Sequence, residues 1–208
     1  MDIAAIAALA PVIPVLTIGT AAEAVPLARA LVKGGLPVLE VTLRTPAALE
    51  ALAAIAAEVE GAVVGAGTVL EPGQVDSIVA AGARFAVSPG FSPTVSRVIR
   101  DVGLPFLPGI QTVSESLAAA EQGWRVQKFF PADVAGGPAW LKAVAAPLAG
   151  LAFCPTGGVG MATAPAYLAL PNVVCVGGSW VAPRDAIASK NWSQIERLAA
   201  AAAALKRS

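Results

Sequence analysis

Short runs of β-forming residues alternate along the chain with longer alanine-rich segments of helical length, and this alternation constrains the fold more than any other feature. Repeated strand and helix units place successive strands side by side in a parallel sheet with helices on its faces. No change in composition interrupts the repeat, so no linker is indicated. We therefore expect an α/β protein with one domain, residues 1–208, which is enough chain for one sizeable core.

Eight segments are predicted as strands, because each is a short apolar or β-branched run bounded by Gly, Pro or polar residues. They are residues 12–16, 38–43, 62–67, 85–88, 106–107, 125–129, 151–154 and 173–176. The segments between them include five predicted helices, at residues 21–33, 46–59, 73–81, 92–102 and 113–122. Two of these helices are expected to begin at Thr45-Pro46 and Ser92-Pro93, since such residues suit helix starts.

Eight such units can close into a TIM barrel, the (β/α)8 fold, or lie open as a doubly wound sheet. A dinucleotide-binding sheet would carry G-x-G-x-x-G after its first strand, and the residues from Leu16 to Thr20 do not supply it. We therefore predict a (β/α)8 TIM barrel with a short N-terminal helix. Residues 2–10 would form that helix and cover the bottom of the barrel, and residues 192–205 would form the final helix.

Charge and hydropathy argue against two classes of partner. The 14 basic and 14 acidic residues cancel and neither sign forms a run, so we expect neither nucleic acid nor a membrane surface as a partner. The uncharged stretches 3–22 and 143–183 are interrupted by prolines, so neither offers the roughly 20 helical residues that a membrane span needs. We expect a cytoplasmic protein whose partner is a small molecule.

The chain contains no histidine. This excludes a Ser-His or Cys-His nucleophile and leaves a zinc site without its commonest ligand, so we expect no metal site. Cys154 and Cys175 lie in short apolar runs, where buried cysteines usually act as small hydrophobic residues.

Polar residues in strand-like segments are the best candidates for chemistry, because reacting groups in these barrels come from the carboxyl ends of strands. In residues 38–43 the alternation places Glu40 and Thr42 on one face, and Arg44 follows on the same side. The alternative to a chemical role for these residues is an internal ion pair between Glu40 and Arg44 that stabilises the barrel. Four residues of strand span about 13 Å, which is long for a direct bridge.

Lys128 lies inside the aromatic, strand-like segment 126–130, whereas the other four lysines fall on predicted helices or near the termini. An ammonium group in a strand core is costly, and a neutral amine is the form that attacks a carbonyl carbon. The sequence therefore indicates a Schiff-base lysine. A structural lysine paired to an acid such as Glu40 remains the alternative.

Glycine pairs follow the seventh and eighth predicted strands. Their backbone N–H groups could approach a phosphate, and the loops after these two strands are where TIM barrels bind one. The alternative to a phosphate site is that these glycine pairs simply form tight turns. The residues concerned are Thr156, Gly157, Gly158, Gly178 and Ser179; weaker candidates for the pocket are Thr68, Pro89 and Phe130.

Seven motifs occur in one order along about residues 11–200: VLEVTLRT, VGAGTVL, SPGF, PFLPGIQT, QKFFPA, CPTGGV and VGGSW. Together they resemble the 2-dehydro-3-deoxy-6-phosphogluconate (KDPG) aldolase family. The resemblance implies a homotrimeric class I aldolase that needs no cofactor and cleaves this phosphorylated keto acid to pyruvate and glyceraldehyde 3-phosphate in the Entner–Doudoroff pathway.

The same resemblance implies residue roles. Lys128 would form the Schiff base and Glu40 would be the general acid and base. Arg44 and Thr68 would hold the pyruvyl carboxylate. The distal and phosphate contacts would be Thr156, Gly157, Gly158 and Ser179. Two other functions stay open: a related aldolase acting on the phosphogalactonate epimer or on 4-hydroxy-2-oxoglutarate, and a non-catalytic barrel that binds phosphate or serves in assembly.

Overall fold

A computed structural model describes residues 1–207 of the chain as a set of short parallel strands surrounded by helices. The strands are β1 Val12–Leu16, β2 Val38–Thr42, β3 Val63–Gly67, β4 Ala86–Val87, β5 Phe106–Leu107, β6 Gly109–Ile110, β7 Val126–Phe129, β8 Ala152–Pro155 and β9 Val176–Gly178. The helices are α1 Ile3–Ala7, α2 Ala21–Lys33, α3 Ala48–Glu58, α4 Gln74–Ala80, α5 Pro93–Asp101, α6 Val113–Glu121, α7 Gly137–Val144, α8 Ala164–Leu168, α9 Arg184–Ala188 and α10 Trp192–Ala203.

The strands form a curled parallel sheet. Six are hydrogen-bonded in the order β5-β4-β3-β2-β1-β9, and three in the order β6-β7-β8. Isolated parallel bridges join Phe153 to Val173 and Thr156 to Gly177, between β8 and the segment that leads into and includes β9. The predicted α/β class with a parallel sheet is confirmed. Among residues 1–207 no helix is long and apolar enough to cross a bilayer.

Side chains alternate between the two faces of this sheet, as the strand period requires. On β2, Leu39 and Val41 pack in a cluster with helix residues such as Leu27 and Leu52. The alternate residue Val38 belongs to a second cluster, the inner cluster, on the concave face. It comprises Ile3, Ile6, Ala7, Ile13, Val38, Phe85, Val87, Leu107, Val126, Cys154 and Cys175.

Helix α1 closes one end of the concave face. Asp2 caps the helix, its carboxylate accepting the Ala5 N–H at 2.8 Å, and Ile3 and Ile6 pack in the inner cluster. The predicted short N-terminal helix is therefore present and covers this end, although it ends at Ala7 instead of at residue 10. Apolar side chains fill this end of the concave face, and the carboxyl termini of the strands lie at the opposite end.

Both cysteines are buried in the inner cluster, as predicted. A hydrogen bond with the Cys154 side chain, together with burial, raises the pKa of the Cys175 thiol well above its usual value. That thiol is therefore protonated at neutral pH and poorly nucleophilic.

Three local features differ from the sequence-based prediction. Pro108 separates β5 from β6, and β6 pairs with β7 rather than β4. The predicted helix start at Thr45-Pro46 is wrong, because the Thr45 hydroxyl donates to the Ile18 carbonyl at 2.6 Å instead of capping a helix, and α3 begins at Ala48. The last strand was predicted two to three residues too early, with Val173 forming only an isolated bridge.

Candidate active site

A cavity of about 290 Å³ lies at the carboxyl ends of the strands. Residues at or after the ends of β1, β2, β7, β8 and β9 line it: Val15, Thr17, Arg44, Lys128, Phe130, Thr156, Gly157, Gly158, Val159, Gly178, Ser179, Ala182, Pro183, Arg184 and Ile187. None of them is acidic, and three are cationic. The cavity therefore suits an anionic ligand.

The strand period explains why Lys128 and Glu40 meet. Val38 and Val126 point into the inner cluster, so the residues two positions further along β2 and β7 point to the same concave side. The Lys128 Nζ lies 3.1 Å from Glu40 Oε1, and the two side chains are 3% and 2% exposed. An acid and an amine thus share a buried position at the floor of the cavity.

Gly67, at the end of β3, makes room for this acid. A Cβ atom at that position would overlap the Glu40 carboxylate. The Phe130 ring also lies close to the amine, with its centroid 5.3 Å from the Lys128 Nζ. The amine therefore lies near one carboxylate and one aromatic ring, and Lys128 is one of the residues that line the cavity.

Arg44 and Thr68 form a second polar group. The Arg44 Nε–H donates to the Thr68 hydroxyl oxygen at 3.0 Å, so the arginine is paired with Thr68 rather than with Glu40. Thr68 adopts a φ of 60°, a left-handed backbone that is strained for a residue with a branched Cβ. Strain of this kind persists where the surrounding structure requires a particular side-chain direction.

The loop after β8 requires glycine at both positions of its Gly-Gly pair. Gly157 and Gly158 have φ values of 94° and 78°, and a Cβ at Gly158 would overlap the Asp133 side chain. At the end of β9, a Cβ at Gly178 would overlap the Trp180 ring. These loops therefore expose backbone to the cavity, as an anion-binding loop does.

Sequence and structure comparisons point to one family. The family model described as "Aldolase: KDPG and KHG aldolase" matches residues 3–198. The 2-dehydro-3-deoxy-phosphogluconate aldolase of Dickeya dadantii is 47% identical over 91% of this chain and 89% of its own length. The chain belongs to the KDPG and KHG aldolase family.

Two further relatives agree with this membership. The KHG/KDPG aldolase of Escherichia coli K12 is 48% identical over 85% of this chain and 83% of its own length. A crystal structure of the KDPG aldolase from Legionella pneumophila, with pyruvate captured at low pH as a covalent carbinolamine intermediate, is 45% identical with a TM-score of 0.96, over 98% of this chain and 99% of that chain. The family resemblance of the motifs and the assignment to the lyases are therefore confirmed.

Most of the site residues expected from the family motifs line the cavity: Lys128, Arg44, Phe130, Thr156, Gly157, Gly158, Gly178 and Ser179. Glu40 and Thr68 do not line the cavity, but each contacts a residue that does: Glu40 contacts Lys128, and Thr68 contacts Arg44. Pro89 does not line the cavity. Its backbone lies so close to Gly109 of β6 that a side chain at Gly109 would overlap it.

Several cavity residues were missed by the sequence analysis: Val15, Thr17, Val159, Ala182, Pro183, Arg184 and Ile187. Thr17 directly follows β1, so the rule that reactive groups follow strand ends could have found it. Arg184 begins α9, six residues after the end of β9, and no local pattern marks it. Only the tertiary fold brings it to the cavity.

Proposed function

We propose that the chain cleaves 2-dehydro-3-deoxy-6-phosphogluconate to pyruvate and glyceraldehyde 3-phosphate through a Schiff base on Lys128. The observation that carries this proposal is the buried Lys128 amine, 3.1 Å from a carboxylate and on the surface of a cavity without acidic lining residues. The names of the relatives support the substrate, and the carbinolamine in the Legionella pneumophila protein supports the covalent chemistry.

The reaction begins when the neutral Lys128 amine adds to the C2 ketone. The resulting carbinolamine loses water and becomes an iminium ion. Glu40, acting through a water molecule, then accepts the proton of the C4 hydroxyl, and the electrons of the C3–C4 bond move into the iminium. Glyceraldehyde 3-phosphate leaves. Protonation of the enamine at C3, followed by hydrolysis of the imine, releases pyruvate and regenerates the amine.

The remaining residues bind the two ends of the substrate. Arg44, oriented by Thr68, holds the carboxylate next to the reacting ketone. Phe130 forms a wall of the pocket, and Pro89, which packs against Gly109 of β6, lies outside it. The distal hydroxyls and the phosphate are held in the loops after β8 and β9, by Thr156, Gly157, Gly158, Gly178 and Ser179. No metal ion and no organic cofactor takes part, because the iminium itself accepts the electrons.

For the whole chain we propose a complete (β/α)8 TIM barrel formed by residues 1–208 as one domain; the last residue, 208, lies outside the described part. The bridges between the segments of β8 and β9, and the position of β5 and β6 on either side of the single residue Pro108, support closure of the sheet. We further propose a homotrimer in the cytoplasm, on the family resemblance. Light scattering on the purified protein measures the number of subunits directly.

The related substrates remain the main alternative, because the Escherichia coli relative is named for both KHG and KDPG. Pyruvate release should be measured from KDPG, from its C4 epimer and from 4-hydroxy-2-oxoglutarate. We expect the highest kcat/KM for KDPG, and almost no turnover of any substrate by Lys128→Met. Lys142→Met, which changes an exposed lysine on α7, is the control and should retain full activity.

Higher kcat/KM for the epimer or for 4-hydroxy-2-oxoglutarate would reassign the substrate within the same chemistry. Near-normal activity of Lys128→Met would reject the Schiff-base mechanism. A non-catalytic phosphate-binding or assembly barrel would show no turnover at all, and its properties would be unchanged by loss of Lys128.

A further inference from the structure

Arg184 differs from the other two cations of the cavity. The Lys128 amine is paired with Glu40, and the Arg44 guanidinium donates to Thr68. Within residues 1–207, Arg184 lines the cavity, but its side chain takes part in none of the hydrogen bonds or ion pairs. Its charge is therefore available to a ligand.

The position of Arg184 associates it with the phosphate loops rather than with the carboxylate end. It follows Ser179 of the β9 loop by five residues, and it shares the cavity wall with Gly158 and Ser179. Arg44 follows β2, which lies on the other side of β1 from β9. The two guanidinium groups therefore approach the cavity from different sides of β1.

Of the three cationic residues that line the cavity, Arg184 is the one that follows the β9 end of the phosphate loops in the chain. Gly157, Gly158 and Ser179 offer only neutral N–H and O–H donors to a phosphate dianion. Two acidic residues lie nearby without lining the cavity: Asp133 behind Gly158, and Asp185 next to Arg184 in the chain. A cation at this place would strengthen the binding of a dianion, because guanidinium groups form short, charge-assisted hydrogen bonds with phosphate oxygens.

We propose that Arg184 binds the phosphate of the substrate and makes the enzyme selective for phosphorylated over unphosphorylated 2-keto acids. This inference rests on the proposed function and assigns its selectivity to one side chain. Arg184 makes no contact with the reacting carbon atoms. It contributes to substrate binding at the distal end and leaves Schiff-base chemistry unchanged.

Arg184→Ala should therefore separate two reactions of the same active site. The kcat/KM for KDPG should fall about tenfold, mainly through a higher KM, since a charge-assisted contact is lost at a partly solvated position. The Lys128-dependent exchange of the methyl protons of pyruvate for deuterium should not change, because pyruvate carries no phosphate. Inorganic phosphate should inhibit the variant more weakly than the parent.

Two further variants make this test specific. Arg184→Lys keeps the charge without the planar pair of donors, so it should recover part of the lost kcat/KM. Arg197→Ala removes an exposed arginine on α10 and should leave both reactions unchanged. Circular dichroism melts of all variants check that the fold persists.

The outcomes distinguish this inference from the proposed function. If Arg184→Ala slows KDPG cleavage and pyruvate exchange equally, or slows neither, Arg184 is not a phosphate-binding residue even though the aldolase remains. If the parent protein shows neither cleavage nor exchange, it is the proposed function that has failed, and the inference is overturned with it.

Discussion

Glu40 is the acid closest to the reacting amine, and its role can be separated from that of Lys128. Replacing it with Gln keeps a side chain of the same shape in the space that Gly67 leaves for it. The Lys128 amine survives in this variant, so some imine should still form. Carbon–carbon cleavage should nevertheless fall by roughly 10²- to 10⁴-fold, as expected on loss of a general base.

Rapid-quench measurement of product formation, alongside trapping of the imine by borohydride, tests this separation. The expected result for Glu40→Gln is a trapped adduct with slow cleavage. Cleavage at the parent rate would show that another group moves the proton.

Arg44 is expected to act on the carboxylate end of the ligand. Arg44→Ala should weaken pyruvate binding by roughly 1.5–3 kcal/mol, the range for a lost charge-assisted hydrogen bond. Binding of inorganic phosphate should change much less, because Arg44 and the phosphate loops lie on different sides of β1. The pyruvate dependence of the trapping rate and inhibition by phosphate measure the two affinities. Equal weakening of both ligands would contradict this placement.

At the scale of elements, α6 depends on a capping box. The Thr112 hydroxyl accepts the Glu115 N–H, and the Glu115 carboxylate accepts the N–H groups of Gln111 and Thr112, each at 2.8 Å. Burial alone would raise the pKa of the Glu115 carboxyl, but these hydrogen bonds outweigh it, and the pKa lies below the usual 4.5. The ionised carboxylate therefore stabilises the helix start.

Glu115→Ala should lower the free energy of unfolding by roughly 0.5–1 kcal/mol at pH 7. A depressed folded-state pKa means that the stabilisation is complete above pH 4.5 and is lost as the pH falls through the folded-state value. Urea unfolding at pH 7 and below pH 4 should show the difference shrinking at the lower pH. Glu121→Ala, an exposed change on the same helix, is the control. A difference that is independent of pH would exclude the carboxylate as its source.

The elements that could be predicted from the sequence are those with several periodic residues. Helix α2 was predicted with the observed bounds, and Ser92 caps α5 as expected. The short helices α8 and α9 and the longer α7 were not predicted, since the first two have five residues each and all three lie in proline-rich sequence. Strands β5 and β6 are divided at Pro108 because β5 pairs with β4 whereas β6 pairs with β7, and no local pattern marks this change of partner.

The candidate site also contains some residues that could be predicted from the sequence and others that could not. Lys128 could be predicted because a lysine in an aromatic strand is unusual in itself. The loop after β8 could be predicted because its positive φ values require glycine at both positions. The pairing of Lys128 with Glu40 joins positions 88 residues apart, so the sequence offered it only as an alternative. Arg184 and Ile187 reach the cavity through the course of the chain after β9, which no local pattern records.

For the whole molecule, the two ends of the concave face have different roles. Helix α1 and the inner cluster fill one end with apolar side chains, and the cavity occupies the other. The Lys128–Glu40 pair lies where the two regions meet. This arrangement holds the amine out of bulk solvent while Lys128 still lines the cavity.

The most direct test of the account is to incubate the protein with pyruvate and sodium borohydride and to map the product by mass spectrometry. An imine is reduced to a stable secondary amine, whereas a free ketone and a free amine do not become joined. The account predicts irreversible inactivation and a single adduct on Lys128, with no adduct in Lys128→Met and a normal adduct in Lys142→Met. An adduct on Lys33 or Lys142, or inactivation without any adduct, would contradict it.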